Sequence, residues 1–175
     1  MTIIGPDRPG LVQTVAARVA DLGGNWLESR MCHLGGQFAG ILRVEVSAER
    51  RARLEAALQG LASEGLQVAV QAEAARGRAG SREEPAALTQ VDVVGQDRPG
   101  ILRSVSSVFA THQANVEELS SEIVSTPMGG GTLFQARAVL RLPAGGTLAS
   151  LRSDLEKIAA DLMVDIRLEP PRASR

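Results

Sequence analysis

Seven letters recur in this chain. "GPDRPGL" occupies residues 5–11 and "GQDRPGI" residues 95–101. The match continues at the same offset, with Val15 on Val105, Ala20 on Ala110, Asn25 on Asn115 and Glu28 on Glu118. Agreement over roughly 25 residues at one spacing marks a duplicated structural unit. A chain of 175 residues then holds two domains, of about 75–85 residues each. Whatever the fold, it must be buildable twice.

Composition narrows the cores and the partners. One Trp, three Phe and no Tyr leave aliphatic side chains to fill both interiors. With 19 basic and 20 acidic residues the net charge is −1, and no basic stripe suited to a phosphate backbone stands out. The single cysteine, Cys32, excludes an internal disulfide and fits a reducing compartment. No apolar run approaches the roughly 18 residues that span a bilayer, and the N-terminus has no secretory pattern. The expectation is a soluble cytoplasmic protein with no membrane and no direct nucleic-acid partner.

In the second copy, 87–94 reads as a strand ended by Gly95, and Pro99 suits the first turn of a helix. Ile101, Leu102, Val105, Val108 and Phe109 follow helical spacing. Residues 113–125 look extended, 127–131 form a turn, and 132–142 alternate with period two. Leu148, Leu151, Leu155, Ile158 and Leu162 line a second helix, and 164–169 make a last strand. The first copy repeats the order: strand 2–4, helix from about 9 to 22, strands 25–34 and 38–46 joined by a 34–36 turn. A helix carrying Leu54, Leu58 and Leu61 follows, then a strand at 66–73. The plan is α+β: two ferredoxin-like βαββαβ domains, each an antiparallel sheet with both helices on one face. Domain 1 spans 1–73, a polar linker 74–87, domain 2 88–170, and 171–175 belong to a frayed tail beginning in "PPRASR". The first strand of copy one is short for a central strand; either residues preceding Met1 complete it, which is the expectation, or the strand is natively short.

The repeated heptad has two readings, and the residues alone leave both open. As a turn, Gly5 supplies a positive φ, Asp7 accepts N–H bonds at the helix start, Pro9 begins the helix, and Gly10 lets it lie close to the sheet. As a site, the same turn offers helix N–H groups to a carboxylate and the Asp7 carboxylate to an ammonium group. That pairing matches both ends of a free amino acid. Asn25 heads the second strand, which is an edge in this topology, and it can donate and accept at once. A phosphate loop is excluded, because its Lys and Ser/Thr are absent and an acidic residue in the turn repels phosphate.

"GxDRPG(L/I)", a helix, and an Asn 18 residues after the Asp, set within βαββαβ, resemble the ACT domain, a regulatory amino-acid-binding module. The tandem arrangement and "NWLESRMCHLGGQFAGILRV" (25–44) resemble the group of glycine cleavage system transcriptional repressors. The resemblance implies effector pockets at ACT–ACT interfaces lined by Asp7, Asn25, Asp97 and Asn115. Gly5, Gly10 and Leu11 complete one pocket, and Gly95, Gly100 and Ile101 the other. It further implies glycine or serine as ligand, a regulatory protein partner, a homo-oligomer, no cofactor and no catalysis. Two rival readings are a trans-acting regulatory module of a formyltetrahydrofolate deformylase-like or uridylyltransferase-like enzyme, and a dimerising scaffold without ligand.

Other side chains offer less. Cys32 and His33 point to opposite faces of a strand, a poor geometry for a metal or a nucleophile–base pair. His112 is expected to meet helix-terminal carbonyls. Ser104, Ser106, Ser107, Ser120 and Ser121 lack an elbow motif, and Trp26 is expected to pack at an interdomain seam.

Overall fold

The computed structural model describes residues 1–72, 88–125 and 131–172. The chain forms two compact units that divide between residues 78 and 79. The expected linker and most of the expected 127–131 turn lie outside the described residues.

The first unit runs β1 (Thr2–Pro6), α1 (Leu11–Asp21), β2 (Asn25–Leu34), β3 (Gln37–Glu45), α2 (Ala48–Gln59), a 3-10 segment (Gly60–Glu64) and β4 (Gln67–Ala69). The second repeats it as β5 (Leu88–Gln96), α3 (Ile101–Thr111), β6 (Asn115–Ser125), β7 (Thr132–Arg141), α4 (Leu148–Leu162) and β8 (Val164–Arg172). Sheet orders are β2-β3-β1-β4 and β6-β7-β5-β8, with every pair antiparallel. This is the βαββαβ plan, twice.

Side-chain periodicity builds both cores. On α1, Leu11, Val15 and Val19 recur every fourth residue and are buried; Ile101, Val105 and Phe109 do the same on α3. Strand alternation supplies the facing layer, Ile3 and Leu42 in one unit, Val91, Val93, Ala138 and Leu140 in the other. Leu54 and Leu58 of α2 with Leu61 just beyond it, or Leu151 and Leu155 of α4, close each core. Each of the Val, Leu, Ile and Phe side chains among these, fully buried, contributes ~1.5–3 kcal/mol. Both second strands also bulge at the same place. The pairing register shifts between Trp26 and Glu28 and between Val116 and Glu118, so Leu27 and Glu117 are the extra residues.

Several boundaries differ from expectation for local reasons. The first helices begin at Leu11 and Ile101, because Gly10 (φ 92°) and Gly100 (φ 97°) are left-handed and cannot be helical residues. Pro9 and Pro99 therefore precede the cap. Gly95 lies inside β5 and does not end it. Leu61 sits in the 3-10 segment beyond α2, and β4 is confined to three residues, paired with Thr2–Ile4. The last strand continues to residue 172, past the expected start of the tail. Trp26 packs on its own unit's core. The His112 ring bonds Asp154 of α4 (Nε2–Oδ2 2.9 Å) and does not reach for a carbonyl.

The sheet faces turned away from the helices have diverged. Across the first sheet one row reads Ile41–Thr2–Ala69; the equivalent row of the second reads Arg137–Asp92–Arg167. Arg137 Nε donates to Asp92 Oδ1 (2.7 Å) and Gln90 Nε2 to Oδ2 (2.8 Å). Partial burial pushes the Asp92 carboxyl up, but these two bonds and the nearby Arg167 outweigh it and hold the group below its ordinary value.

Candidate functional site

The heptad begins where the first strand ends, and most of its letters have structural work. Gly5 is buried, and a Cβ there would stand 2.5 Å from the carbonyl oxygen of Gly65. On Gly95 it would stand 2.9 Å from Cα of Val164. Neither glycine has a positive φ. Gly10 and Gly100 do, and a Cβ on either would meet nothing within 4 Å. The two glycine roles are thus the reverse of the sequence expectation: Gly5 gives close approach, and Gly10 gives conformational freedom.

Arg8 and Arg98 reach the end of the second helical segment. Arg8 Nη2 donates to the carbonyl oxygen of Glu64 (3.1 Å) and lies 3.8 Å from its carboxylate. Arg98 lies 3.9 Å from Sδ of Met163 and donates to Gln96 Oε1 (3.3 Å). Leu11 and Ile101 are buried in the cores, so only their backbones face the turn.

The aspartates remain. Their backbones are used: Asp7 N–H donates to Gly36 O (2.9 Å) and Asp97 N–H to Thr132 O (3.0 Å), tying the turn to the hairpin in both units. Their side chains cap neither helix. Gly10 and Gly100 are the N-caps, and neither helix start has a side-chain cap bond. The capping role expected of Asp7 is therefore absent. Both aspartates are exposed and stand three residues before a glycine N-cap whose helix start has no side-chain cap bond and carries the positive end of the helix dipole.

Asn25 and Asn115 stand elsewhere. Asn25 pairs with Glu45 and Asn115 with Arg141, seven residues along the strand from Phe38 and Phe134, which flank Gly5 and Gly95. At strand rise that is roughly 23 Å. Within one unit the Asp and the Asn occupy opposite ends of the sheet and share no pocket. Asn115 Nδ2 donates to Glu117 Oε1 (2.8 Å), which also accepts from Arg141 Nε (2.8 Å).

What does stand by Asp7 is His33, its Nε2 3.8 Å from Oδ2. Gly5, Phe38 and His33 form one row across the sheet. The same row in the second unit is Gly95, Phe134 and Ile123.

The family model for the ACT domain matches residues 1–71 and again 88–169. This chain belongs to the ACT domain family. The glycine cleavage system transcriptional repressor of Escherichia coli is 26% identical over 164 residues, covering 93% of this chain and 84% of that protein. A UPF0237 protein of Methanopyrus kandleri is 36% identical over 77 residues, which cover 43% of this chain and 79% of its own. Among solved structures, a protein of unknown function from Galdieria sulphuraria superposes with a TM-score of 0.77 at 27% identity, covering 97% of this chain and 95% of that one. A candidate glycine cleavage system transcriptional repressor shares the fold at a TM-score of 0.72 and 22% identity, over 99% and 95%.

In sequence His33 was weighed only beside Cys32, and its place next to Asp7 was not anticipated. Its signal was the tight Gly35–Gly36 turn: a two-residue hairpin fixes the register, places residue 33 opposite 38, and so brings it to the heptad end.

Proposed function

We propose that this ACT-domain protein is a non-catalytic sensor: it binds a free amino acid at the heptad turns and relays occupancy to a regulatory protein partner. One observation carries the reading. Of the repeated heptad, glycines and arginine position strand, helix and neighbouring loop in both units, while the two aspartate side chains cap nothing. A carboxylate kept twice at an uncapped helix start suits a zwitterion, its carboxylate to the N–H groups and its ammonium to the Asp. Glycine and serine are the ligands proposed, since their small side chains ask least of a turn built mainly from glycine and proline.

The distance to Asn25 is informative here. An ACT sheet docked antiparallel along the β2 edge would bring its own head-of-strand Asn to the heptad end of the first. Leu27 and Leu34 on β2, and Val116, Leu119 and Ile123 on β6, are exposed apolar side chains along those edges. This supports a homo-oligomer in which the ligand bridges two sheets. The similarity to the Escherichia coli repressor supports a role in transcriptional control of glycine metabolism. With a net charge of −1, that role is proposed to run through protein contact and not through DNA. Thermal-shift screening of all free amino acids tests the reading: glycine or serine raises the melting temperature, and a flat response to every amino acid at millimolar concentration contradicts it.

A further inference from the structure

The two heptad turns share their glycine, aspartate and arginine positions, and at one matching row position beside them the first unit has His33 and the second Ile123. His33 Nε2 lies 3.8 Å from Asp7 Oδ2, and both side chains are reached by solvent. We infer that His33 is a specificity-determining residue of the first site, making it hold an amino-acid ammonium less tightly when the imidazole is charged, while the matching Ile123 of the second unit has no ionisable group. The inference rests on the ligand reading above and adds an inequality between the two sites.

The chemistry follows from charge. A neutral imidazole leaves Asp7 free to pair with an ammonium group. An imidazolium occupies that carboxylate and repels an incoming ammonium at the same time. Imidazoles change charge between pH 5 and 8, a window in which a free amino acid keeps both its charges. The other charged groups around the turn are engaged or distant. Arg8 and Arg18 both face Glu64 of the segment after α2. Cys32 is on the opposite face of β2, and the β3 residue opposite His33 is Phe38. The Met1 ammonium bonds Leu42 O at the far end of β1. In the second unit, His112 faces Asp154 and is not part of the turn. Two unit charges about 4 Å apart in a water-like dielectric change a binding constant about fivefold.

The test titrates glycine by calorimetry at pH 5.5 and pH 8.0 into the full chain and three variants. Asp97→Asn leaves the first site, Asp7→Asn leaves the second, and Asp97→Asn with His33→Ile gives the first site the second's rim. The expected result is about fivefold weaker binding at pH 5.5 in Asp97→Asn, no change in Asp7→Asn, and loss of the pH response in the double variant. Binding to Asp97→Asn that ignores pH, or a response that survives His33→Ile, overturns the inference and leaves the amino-acid reading standing. No glycine or serine binding to the unaltered protein at either pH overturns both.

Discussion

A Cβ placed on Gly5 would stand 2.5 Å from the carbonyl oxygen of Gly65. The contact holds the end of β1 against the loop that leads into β4, and it separates two kinds of glycine within one heptad.

Gly5→Ala should destabilise by about 1–3 kcal/mol, because backbone and not a yielding side chain blocks the methyl group. Gly10→Ala should cost about 1–2 kcal/mol for a different reason, its left-handed φ. Asparagine tells them apart. Gly10→Asn should recover part of the loss, since Asn tolerates that conformation, whereas Gly5→Asn should be worse than Gly5→Ala. Urea denaturation of the four variants reads the order directly, and equal behaviour at both positions contradicts the assignment.

Acid should weaken the second unit through Asp154. Lys157 and His112 hold its carboxyl below the usual range, Lys157 contributing most. A folded-state value below the unfolded one means that the contribution is complete above the ordinary carboxylate range. It is lost as pH falls through the folded value. Asp154→Asn should therefore lower the melting temperature near neutrality, with the gap to the unaltered protein closing below about pH 4. A gap that stays constant from pH 7 to pH 3 would show that the ion pair does not contribute.

The isolated protein should leave duplex DNA unshifted at physiological salt. Its acidic and basic residues nearly balance, and strong backbone binding needs a cluster of phosphate-neutralising side chains. A sequence-specific shift at micromolar protein would replace protein contact with direct repression.

Much of the fold was legible because two independent signals agreed. Period-four burial on Leu11, Val15 and Val19 and alternation along β5 and β7 are written in the letters, and the repeat allowed one copy to correct the other. Roles within the heptad were not legible. Whether a glycine is required for φ or for space depends on what lies opposite, and Gly65 is 60 residues away in sequence. The distance between Asp7 and Asn25, by contrast, follows from the strand–helix–strand order: α1 returns the chain along the sheet, so β2 starts at the end opposite Asp7. The nearness of His33 to Asp7 was not legible either. His33 is 26 residues from Asp7 in the chain, and only strand register makes them neighbours.

The most direct measurement concerns the two carboxylates. Asn would preserve the size of Asp7 and Asp97, and neither side chain caps its helix, so Asp7→Asn and Asp97→Asn should fold with nearly unchanged stability. If each carboxylate receives the ammonium of a bound amino acid, each substitution removes a charge-assisted bond worth ~1.5–3 kcal/mol. At its own site, binding then weakens by about ten- to 150-fold. Calorimetric titration of glycine and serine into the unaltered protein and both variants at pH 8.0 is predicted to show that loss. Unchanged affinity in both variants would leave the heptad as a strand-to-helix turn and contradict the sensor reading at its centre.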